Sequence, residues 1–518
     1  MEQSTQETAA VREDQETRIL YGLSLVLAGV LFYALLHSGF RLLVSDVLGE
    51  DDVIANVLGQ ELALGYDTYP RQPPLYNWVL WLVQQWLGPT LESFLLIKYA
   101  ALTATVGFLY LTARRILGRH VYAVLTVESL ALIYSISWRF HEGFTHQVLA
   151  MVAVSATVFL FVRLLDHGRW FDYVLFGVVV GLGLLTERVF AAFLAALIVG
   201  AMLQPAFRSK VLKPRSLLSL VLAGIIIAPY VGWVLNDNSR VADWYRAGAA
   251  SNKDYWRGVI DAIRGPFFYL APLVVIVPIM FPGFMQAAWR KIRQPINRNE
   301  PGDPLQLVWH VTVICFVASI VGALVLKLGR QPIHAYMALY ITTVIWLFGV
   351  VRDSDKSAGQ VKRFAVLALA IAAFALSARL ANLYVMHPVC KKCRWGMPYV
   401  ELGEAMKKNG FRDHKIVTYD PELAGNLRQV FANTPISIVG APAYAPSGSM
   451  NTGRVYIWRE KDGMSAAERW FRPTWTPDIK AKQSVKLEIP WRHLWRETGY
   501  HTTSWRMLRI DDQARARQ

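Results

Sequence analysis

The sequence has few charged residues and few cysteines for its length. Only 18% of its 518 residues are charged, against about 25% in an average soluble domain, and 54% are hydrophobic. This balance excludes a disordered chain and argues against a soluble enzyme. The three cysteines are too few for a scaffold that is held together by disulfides.

Acidic residues are also outnumbered, with 38 Asp and Glu against 54 Lys and Arg. A basic chain can bind nucleic acid, but here the basic residues stand in short clusters between apolar runs. That arrangement is typical of membrane proteins, so we predict no nucleic-acid partner. The sequence contains no glycine-rich phosphate loop, G-x-S-x-G or H-E-x-x-H motif, and so gives no support for ATP use or serine hydrolysis.

Eleven apolar runs are long enough to predict transmembrane helices, since the hydrocarbon core is about 30 Å thick and needs roughly 20 helical residues. The short pair 171–186 and 189–203 gives the weakest prediction. The predicted spans are 20–37, 91–112, 121–137, 147–165, 171–186, 189–203, 216–235, 267–287, 306–326, 335–351 and 364–386.

The loops between these spans predict the orientation in the membrane. Clusters at 114–119, 208–215, 290–298 and 352–363 are short and dense in Lys and Arg, whereas the alternate loops are longer and sparser. The positive-inside rule therefore places the N-terminus in the cytoplasm, and eleven spans place the C-terminus outside it. If 171–203 were one re-entrant unit, the C-terminal segment would be cytoplasmic.

Hydropathy divides the chain into three predicted regions. Residues 1–18 form a polar cytoplasmic tail, for which we predict disorder, and 19–386 form the α-helical membrane domain. Residues 387–518 alternate β-rich and helical stretches, which predicts a small extracytoplasmic α/β domain. The first external loop, 38–90, ends in a tryptophan-rich stretch at 75–87 that is typical of an interfacial helix.

An acidic pair, Asp51 and Asp52, lies in this first external loop. A carboxylate at the outer membrane surface can act as general base toward an acceptor hydroxyl. The alternatives are a solvated charge cluster, a bound cation, or a helix N-cap.

Arg71 ends the same loop and is followed by Gln72, Pro73 and Pro74. The prolines fix φ and give the interfacial helix a rigid start, which would hold Arg71 at the height of phosphate headgroups. An ordinary interfacial arginine is the alternative.

Two further clusters are candidate sites. His141, Glu142 and His146 stand in one short loop, where they could bind a divalent metal or an acceptor, or form a polar cap over a helix pair. Arg188, Arg330 and His334 stand at predicted external helix ends, where they could clamp a phosphate or simply snorkel to the interface.

Two pairs of residues predict structural contacts. Lys98 and Glu128 lie at similar depths in adjacent predicted spans, which favours an ion pair between them. Cys390 and Cys393 form a C-x-x-C just outside the last span, where either a local disulfide or a pair of structural thiols is favoured.

The order of these motifs resembles the superfamily C (GT-C) glycosyltransferases that use polyprenyl-phosphate-linked sugars. The resemblance is to bacterial members related to protein mannosyltransferases and to lipid A aminoarabinose transferases. It covers about residues 30–240, and the C-terminal region from Cys390 to Arg428 resembles a subset of bacterial members. The matching stretches are Asp51-Asp52, Leu62-Ala63-Leu64-Gly65-Tyr66, Pro73-Pro74-Leu75-Tyr76, Thr145-His146, Gly181-Leu182-Gly183-Leu184-Leu185 and Gly425-Asn426-Leu427-Arg428.

The resemblance implies a multi-pass enzyme of the bacterial inner membrane. An acceptor hydroxyl on an extracytoplasmic glycolipid or polysaccharide would attack the sugar and release polyprenyl phosphate, usually with inversion. Asp51 matches the catalytic aspartate, and Asp52 stands where Glu is usual. Arg71 and Arg188 would replace lysines, while His146 replaces a second acidic residue and leaves a bound metal open. No other cofactor is implied.

Two other functions share many of these features. A transporter or flippase of lipid-linked sugars would also have many spans and buried charges, but the hydropathy shows no internal repeat of the kind common in transporters. A protein O-glycosyltransferase would use the same donor with a protein hydroxyl as acceptor. A membrane anchor for the α/β domain would not need eleven spans.

Overall fold

The computed structural model describes residues 2–49, 51–66, 72–246, 255–295, 301–327, 336–383, 394–412, 414–439, 453–472, 483–491 and 501–510. The predicted site residues Arg71, Arg330, His334, Cys390 and Cys393 lie outside the described residues, and their roles stay predictions.

The described chain is mostly helical. Its helices are α1 (Glu2–Val44), α2 (Asp51–Leu58), α3 (Leu75–Leu87), α4 (Leu91–Leu117), α5 (His120–Glu128), α6 (Phe140–Gly143), α7 (His146–His167), α8 (Trp170–Leu184), α9 (Val189–Met202), α10 (Pro205–Val211), α11 (Ser216–Leu235), α12 (Asn238–Arg246), α13 (Tyr255–Leu270), α14 (Leu273–Met280), α15 (Phe284–Arg293), α16 (Pro304–Val325), α17 (Met337–Asp353), α18 (Ala358–Ala381), α19 (Tyr399–Lys408), α20 (Pro421–Val430) and α21 (Met464–Phe471).

Within the described ranges, six helices are long and apolar enough to cross a membrane, or up to seven if a bent pair is one span. The six are the part of α1 from Ile19, α4, α7, α11, α16 and α18. Shorter apolar helices include α8 and α9, so region 171–203 does contain two helices. The count of eleven spans stays a prediction.

Two sequence expectations differ from the structure. The span predicted at 267–287 is not one straight helix, because α14 and α15 meet at 109°, with Pro272 directly before α14 and Pro282 between α14 and α15. Helix α1 begins at Glu2, so residues 2–18 are not disordered. Their sequence is rich in Glu, Gln, Ala and Arg, which are strong helix formers.

The chain divides into two compact units. The first, unit 1, contains Met1–Leu36, Lys98–His141 and His146–Leu376, and the second, unit 2, contains His37–Ile97, Glu142–Thr145 and Ser377–Gln518. Most of the apolar helices belong to unit 1. The first external loop belongs to unit 2 together with the C-terminal α/β region.

Close helix packing in unit 1 depends on small residues. On α8, a Cβ added to Gly177 would lie 2.7 Å from the backbone of Ser219 on α11. A Cβ added to Gly183 would lie 2.3 Å from the ring of Phe190. The glycines around Gly181 in the family-like stretch therefore serve helix contact.

Unit 2 is built on a five-stranded sheet with strand order β2-β1-β3-β5-β4. Strand β1 pairs in parallel with β2 and β3, while β5 pairs antiparallel with β3 and β4. Val47 and Val57 from the first loop join the hydrophobic core beside the sheet and α20. The strands are β1 (Lys415–Thr418), β2 (Ile436–Ile438), β3 (Arg454–Arg459), β4 (Val485–Pro490) and β5 (Thr502–Ile510).

The Gly177 contact gives a stability test. We expect Gly177→Val to push α8 away from the α11 backbone and to lower stability by about 1–3 kcal/mol. The measurement is the midpoint of thermal unfolding in detergent. Gly224→Val on α11 is the matched control, because no atom lies within 4 Å of a Cβ at that position. Equal midpoints for the two variants would contradict the packing described here.

Candidate active site

The acidic pair begins a short helix in unit 2. Asp51 and Asp52 form the first turn of α2, and the backbone N–H of Asp52 donates to the carbonyl of Gly49 at 3.0 Å. The positive end of the helix dipole favours carboxylates at this place. The side chain of Asp51 is exposed, whereas Asp52 is only 3% exposed. Asp51 can therefore meet a substrate, and Asp52 belongs to the protein interior.

Tyr76 lies close enough to the acidic pair to interact with it electrostatically. Its side chain is fully buried in the first turn of α3. Burial raises the pKa of Tyr76 well above its ordinary value, and the charges of Asp52 and Asp51 raise it further. The hydroxyl therefore keeps its proton at neutral pH. Tyr76 belongs to the Pro73–Tyr76 stretch that resembles the family, but the sequence did not predict that Tyr76 interacts with the acidic pair.

Buried hydrogen bonds join α2 to α20 of the C-terminal region. Asn56 Nδ2 donates to the carbonyl of Gly425 at 2.8 Å, and Gln84 Nε2 donates to Asn56 Oδ1 at 2.8 Å. Arg428 donates to the carbonyl of Asn56 and to the carbonyl of Gly59, the latter at 3.0 Å. Asn56 and Arg428 are 0% and 6% exposed, so these contacts are shielded from water. We call this group of residues the α2–α20 contact.

The two helices also touch through their backbones. A Cβ added to Gly425 would lie 2.4 Å from the carbonyl oxygen of Val53, so only glycine permits this approach. Asn426 Oδ1 accepts from the backbone N–H of Leu48 at 2.8 Å. Every polar or small residue of the Gly425-Asn426-Leu427-Arg428 stretch therefore contacts the segment that carries the acidic pair. The sequence identified this stretch by its resemblance to the family, but it did not predict that the stretch contacts α2.

The chain before the acidic helix is also held in place. The buried Arg41 guanidinium donates to the carbonyls of Ser45 and Val47. It also lies over the Trp395 ring, 4.7 Å from its centroid. Ser45 Oγ donates to the carbonyl of Trp395 at 2.5 Å. The loop that leads to Asp51 thus has fixed backbone positions.

The metal site suggested for His141, Glu142 and His146 does not form. Tyr33 Oη lies 2.8 Å from His141 Nε2, and Tyr99 Oη lies 2.9 Å from His141 Nδ1, so both ring nitrogens have hydrogen-bond partners. Within unit 2, Glu142 pairs with Arg379 at 3.2 Å. In the part of the chain that the structure describes, no group of three His, Cys, Asp or Glu side chains could hold a metal ion.

The predicted Lys98–Glu128 ion pair is also wrong. Glu128 lines an apolar cavity of about 390 Å³ between α1, α4, α5 and α18. Its buried Oε2 has no hydrogen-bond partner among the described residues. Equal depth in the membrane fixes the height of two side chains but not the direction in which each leaves its helix.

Arg188 lies in unit 1, at the start of α9, and is half-buried. The adjacent Glu187 is 2% exposed. The next residues, Val189 and Phe190, line a second apolar cavity of about 220 Å³ between α7, α9, α16 and α17. A phosphate-binding role for Arg188 stays a prediction. Arg188 directly precedes two residues that line this cavity.

The α2–α20 contact gives a test of local order. We expect Arg428→Leu to leave buried carbonyls unpaired, at about 1–3 kcal/mol each, and so to loosen α2. Hydrogen exchange of the amides from Val53 to Leu58 should become faster. Arg412→Leu is the control because Arg412 is exposed. Unchanged exchange in α2 of the Arg428 variant would contradict the assigned role.

Comparisons with known proteins agree with this architecture. The dolichyl-phosphate-mannose-protein mannosyltransferase family matches residues 71–233. A relative from Rhizobium johnstonii, lipopolysaccharide core galacturonosyltransferase RgtB, is 24% identical over 86% of this chain and 89% of its own length. RgtA, a lipopolysaccharide core galacturonosyltransferase from the same organism, is 22% identical over 92% and 95%.

A solved structure has the same fold. It is ArnT from Cupriavidus metallidurans bound to undecaprenyl phosphate, with a TM-score of 0.62 and 14% identity, covering 93% of this chain and 97% of that chain. The shared fold extends over the membrane helices and the C-terminal sheet. The ArnT-like fold, the family match and the two relatives all support a glycosyltransferase with the superfamily C (GT-C) fold.

Proposed function

We propose that this glycosyltransferase moves a sugar from polyprenyl phosphate to a hydroxyl of an extracytoplasmic glycolipid, with inversion at the anomeric carbon. The observation that carries the proposal is the exposed Asp51 at the start of a helix whose other contacts are buried and fixed. The two Rhizobium relatives suggest the acceptor class, the lipopolysaccharide core, and galacturonic acid as the first sugar to test.

In this mechanism Asp51 is the general base. The acceptor oxygen attacks the anomeric carbon while its proton passes to the Asp51 carboxylate. The bond between that carbon and the carrier's phosphate oxygen breaks, and its electron pair leaves with the phosphate. Attack from the face opposite the leaving group inverts the configuration. We assign positioning roles to Asp52, which is buried next to Asp51 in the sequence, and to Tyr76, which is buried and interacts electrostatically with the acidic pair.

The leaving phosphate gains negative charge in this step and needs cationic partners. We assign Arg188 to this role, since its guanidinium can bind two phosphate oxygens at once. Arg71, Arg330 and His334 complete the proposed set, and they lie outside the described residues. The apolar cavity next to Arg188 offers a place for the first isoprene units of the carrier.

The proposal also fixes the orientation in the membrane. An external acceptor requires the acidic helix and the C-terminal sheet, which share unit 2, to face the extracytoplasmic side of the bacterial inner membrane. The N-terminus would then be cytoplasmic, in agreement with the basic clusters between the predicted spans.

The first prediction concerns the base. We expect Asp51→Asn to lower kcat by about 100-fold or more, since an amide cannot accept the proton, while the KM for the donor changes little. The assay follows sugar transfer from undecaprenyl phosphate-linked galacturonic acid to purified lipopolysaccharide core by mass spectrometry. Asp46→Asn is the control, because Asp46 is an exposed carboxylate in the same loop.

Two outcomes would decide against the assignment. Wild-type kcat in Asp51→Asn would remove Asp51 as the base. Movement of the lipid-linked sugar across a vesicle membrane without any sugar transfer would replace the glycosyltransferase proposal by a flippase.

A second prediction concerns the donor phosphate. Arg188→Ala should raise the KM for the donor by about tenfold, because a charge-assisted hydrogen bond is worth about 1.5–3 kcal/mol. Arg188→Lys should retain part of the affinity, since lysine keeps the charge but not the two-pronged geometry. Arg208→Ala, at an exposed position on α10, is the control. An unchanged KM in Arg188→Ala would exclude the phosphate role.

A further inference from the structure

Unit 2 contains a large polar cavity that the mechanism above does not use. Its volume is about 880 Å³, which is within the usual range of ligand sites, about 300–1,000 Å³. Six separate segments of the described chain form its wall, including residues 394–397 after the last predicted span, the turn at 460–461 after β3, and residues 502–504 at the start of β5. We call it the unit 2 cavity.

Two buried tryptophans, Trp395 and Trp491, support the wall of this cavity and are 7% and 6% exposed. The Trp395 ring has guanidinium groups of Arg41 and Arg394 at 4.7 and 5.0 Å from its centroid. Trp491 donates from its indole N–H to Thr503 Oγ1 at 2.8 Å. Its backbone N–H donates to the carbonyl of His501 at 2.8 Å. These contacts hold the wall rigidly in place, so its polar groups have defined positions for a polyhydroxylated ligand.

Charged groups in the wall are arranged as neutral pairs with one exception. Arg459 pairs with Glu422 at 2.7 Å, and Glu460 pairs with Arg506 at 3.0 Å. Such pairs leave further donor and acceptor positions for hydroxyl groups. Lys461 is exposed and has no carboxylate within 4 Å among the described residues. It therefore adds one uncompensated positive charge to the wall.

One residue of the cavity wall, Glu142, pairs with a residue near the end of an apolar helix. Glu142 lies in the short connection between predicted spans and pairs with Arg379, near the end of the apolar helix α18. The two cavities of unit 1, in contrast, are lined mainly by apolar side chains, which fit an isoprenoid and not a polyhydroxylated ligand.

We propose that the unit 2 cavity binds the saccharide part of the acceptor, an acidic oligosaccharide, with Lys461 pairing to one of its carboxylates. The inference rests on the proposed function for the name of the acceptor, but binding itself needs no donor. The paired charges of the wall donate hydrogen bonds to sugar hydroxyls and accept hydrogen bonds from them. Lys461 selects acidic over neutral saccharides.

The test measures binding without catalysis. The probe is the core oligosaccharide released from lipopolysaccharide by mild acid, which carries carboxylates but no lipid chains. Its Kd for the purified full chain in detergent is measured by calorimetry. We expect Lys461→Glu to raise this Kd by at least about tenfold. The substitution removes a charge-assisted contact with a saccharide carboxylate and replaces it by repulsion between two carboxylates. Lys408→Glu, at an exposed position on α19, makes the same charge change and should leave the Kd unaltered.

A second probe separates charge from folding. The same oligosaccharide with its carboxylates reduced to alcohols should bind more weakly to the wild type and equally to wild type and Lys461→Glu. In transfer assays the Lys461 variant should raise the KM for the acceptor and leave the KM for the donor unchanged. Equal Kd values of the acidic probe for wild type and Lys461→Glu would overturn the inference.

Failure of the proposed function would look different. If the chain binds the acidic probe in a Lys461-dependent way but transfers no sugar to it, the saccharide site stands and the assigned reaction is wrong. If transfer occurs and the Lys461 variant has the acceptor KM of the wild type, the reaction stands and this site is wrong.

Discussion

The buried contact between α2 and α20 is the interaction on which the candidate site depends. Helix α2 has only eight residues, too few to be stable alone in water. Its position comes from Asn56 and Arg428, which pair otherwise unsatisfied backbone groups, and from the close approach that Gly425 permits. The exposed Asp51 is thus supported by a domain core that is formed mainly by residues far along the chain.

The cavities of the two units differ in polarity. The cavities of unit 1 are apolar and lie among helices that can span a membrane, whereas the cavity of unit 2 has charged and aromatic walls. A lipid-linked sugar and a polar glycan need these two environments. Under the proposed function, the apolar cavities would suit the lipid-linked donor and the polar cavity would suit the glycan acceptor.

The sequence predicted local elements better than contacts. The β-rich and helical stretches of 387–518 predicted a small α/β domain, and this region contains the five strands together with α19, α20 and α21. Contacts over long separations could not be predicted, because hydropathy carries no information on which faces meet. Thus His141 was proposed as a metal ligand although two tyrosines from other helices occupy its ring. Arg428 was quoted only as part of a resemblance.

The assembly of unit 2 from distant segments has a consequence for biosynthesis. Val47 and Val57 have their apolar neighbours on α20 and the sheet, and α20 begins only at Pro421. A ribosome that has inserted every apolar helix has still not made the surface against which the acidic helix folds. Catalytic competence is therefore the last property that the nascent chain acquires, and an incomplete translation product would occupy the membrane without turning over the carrier.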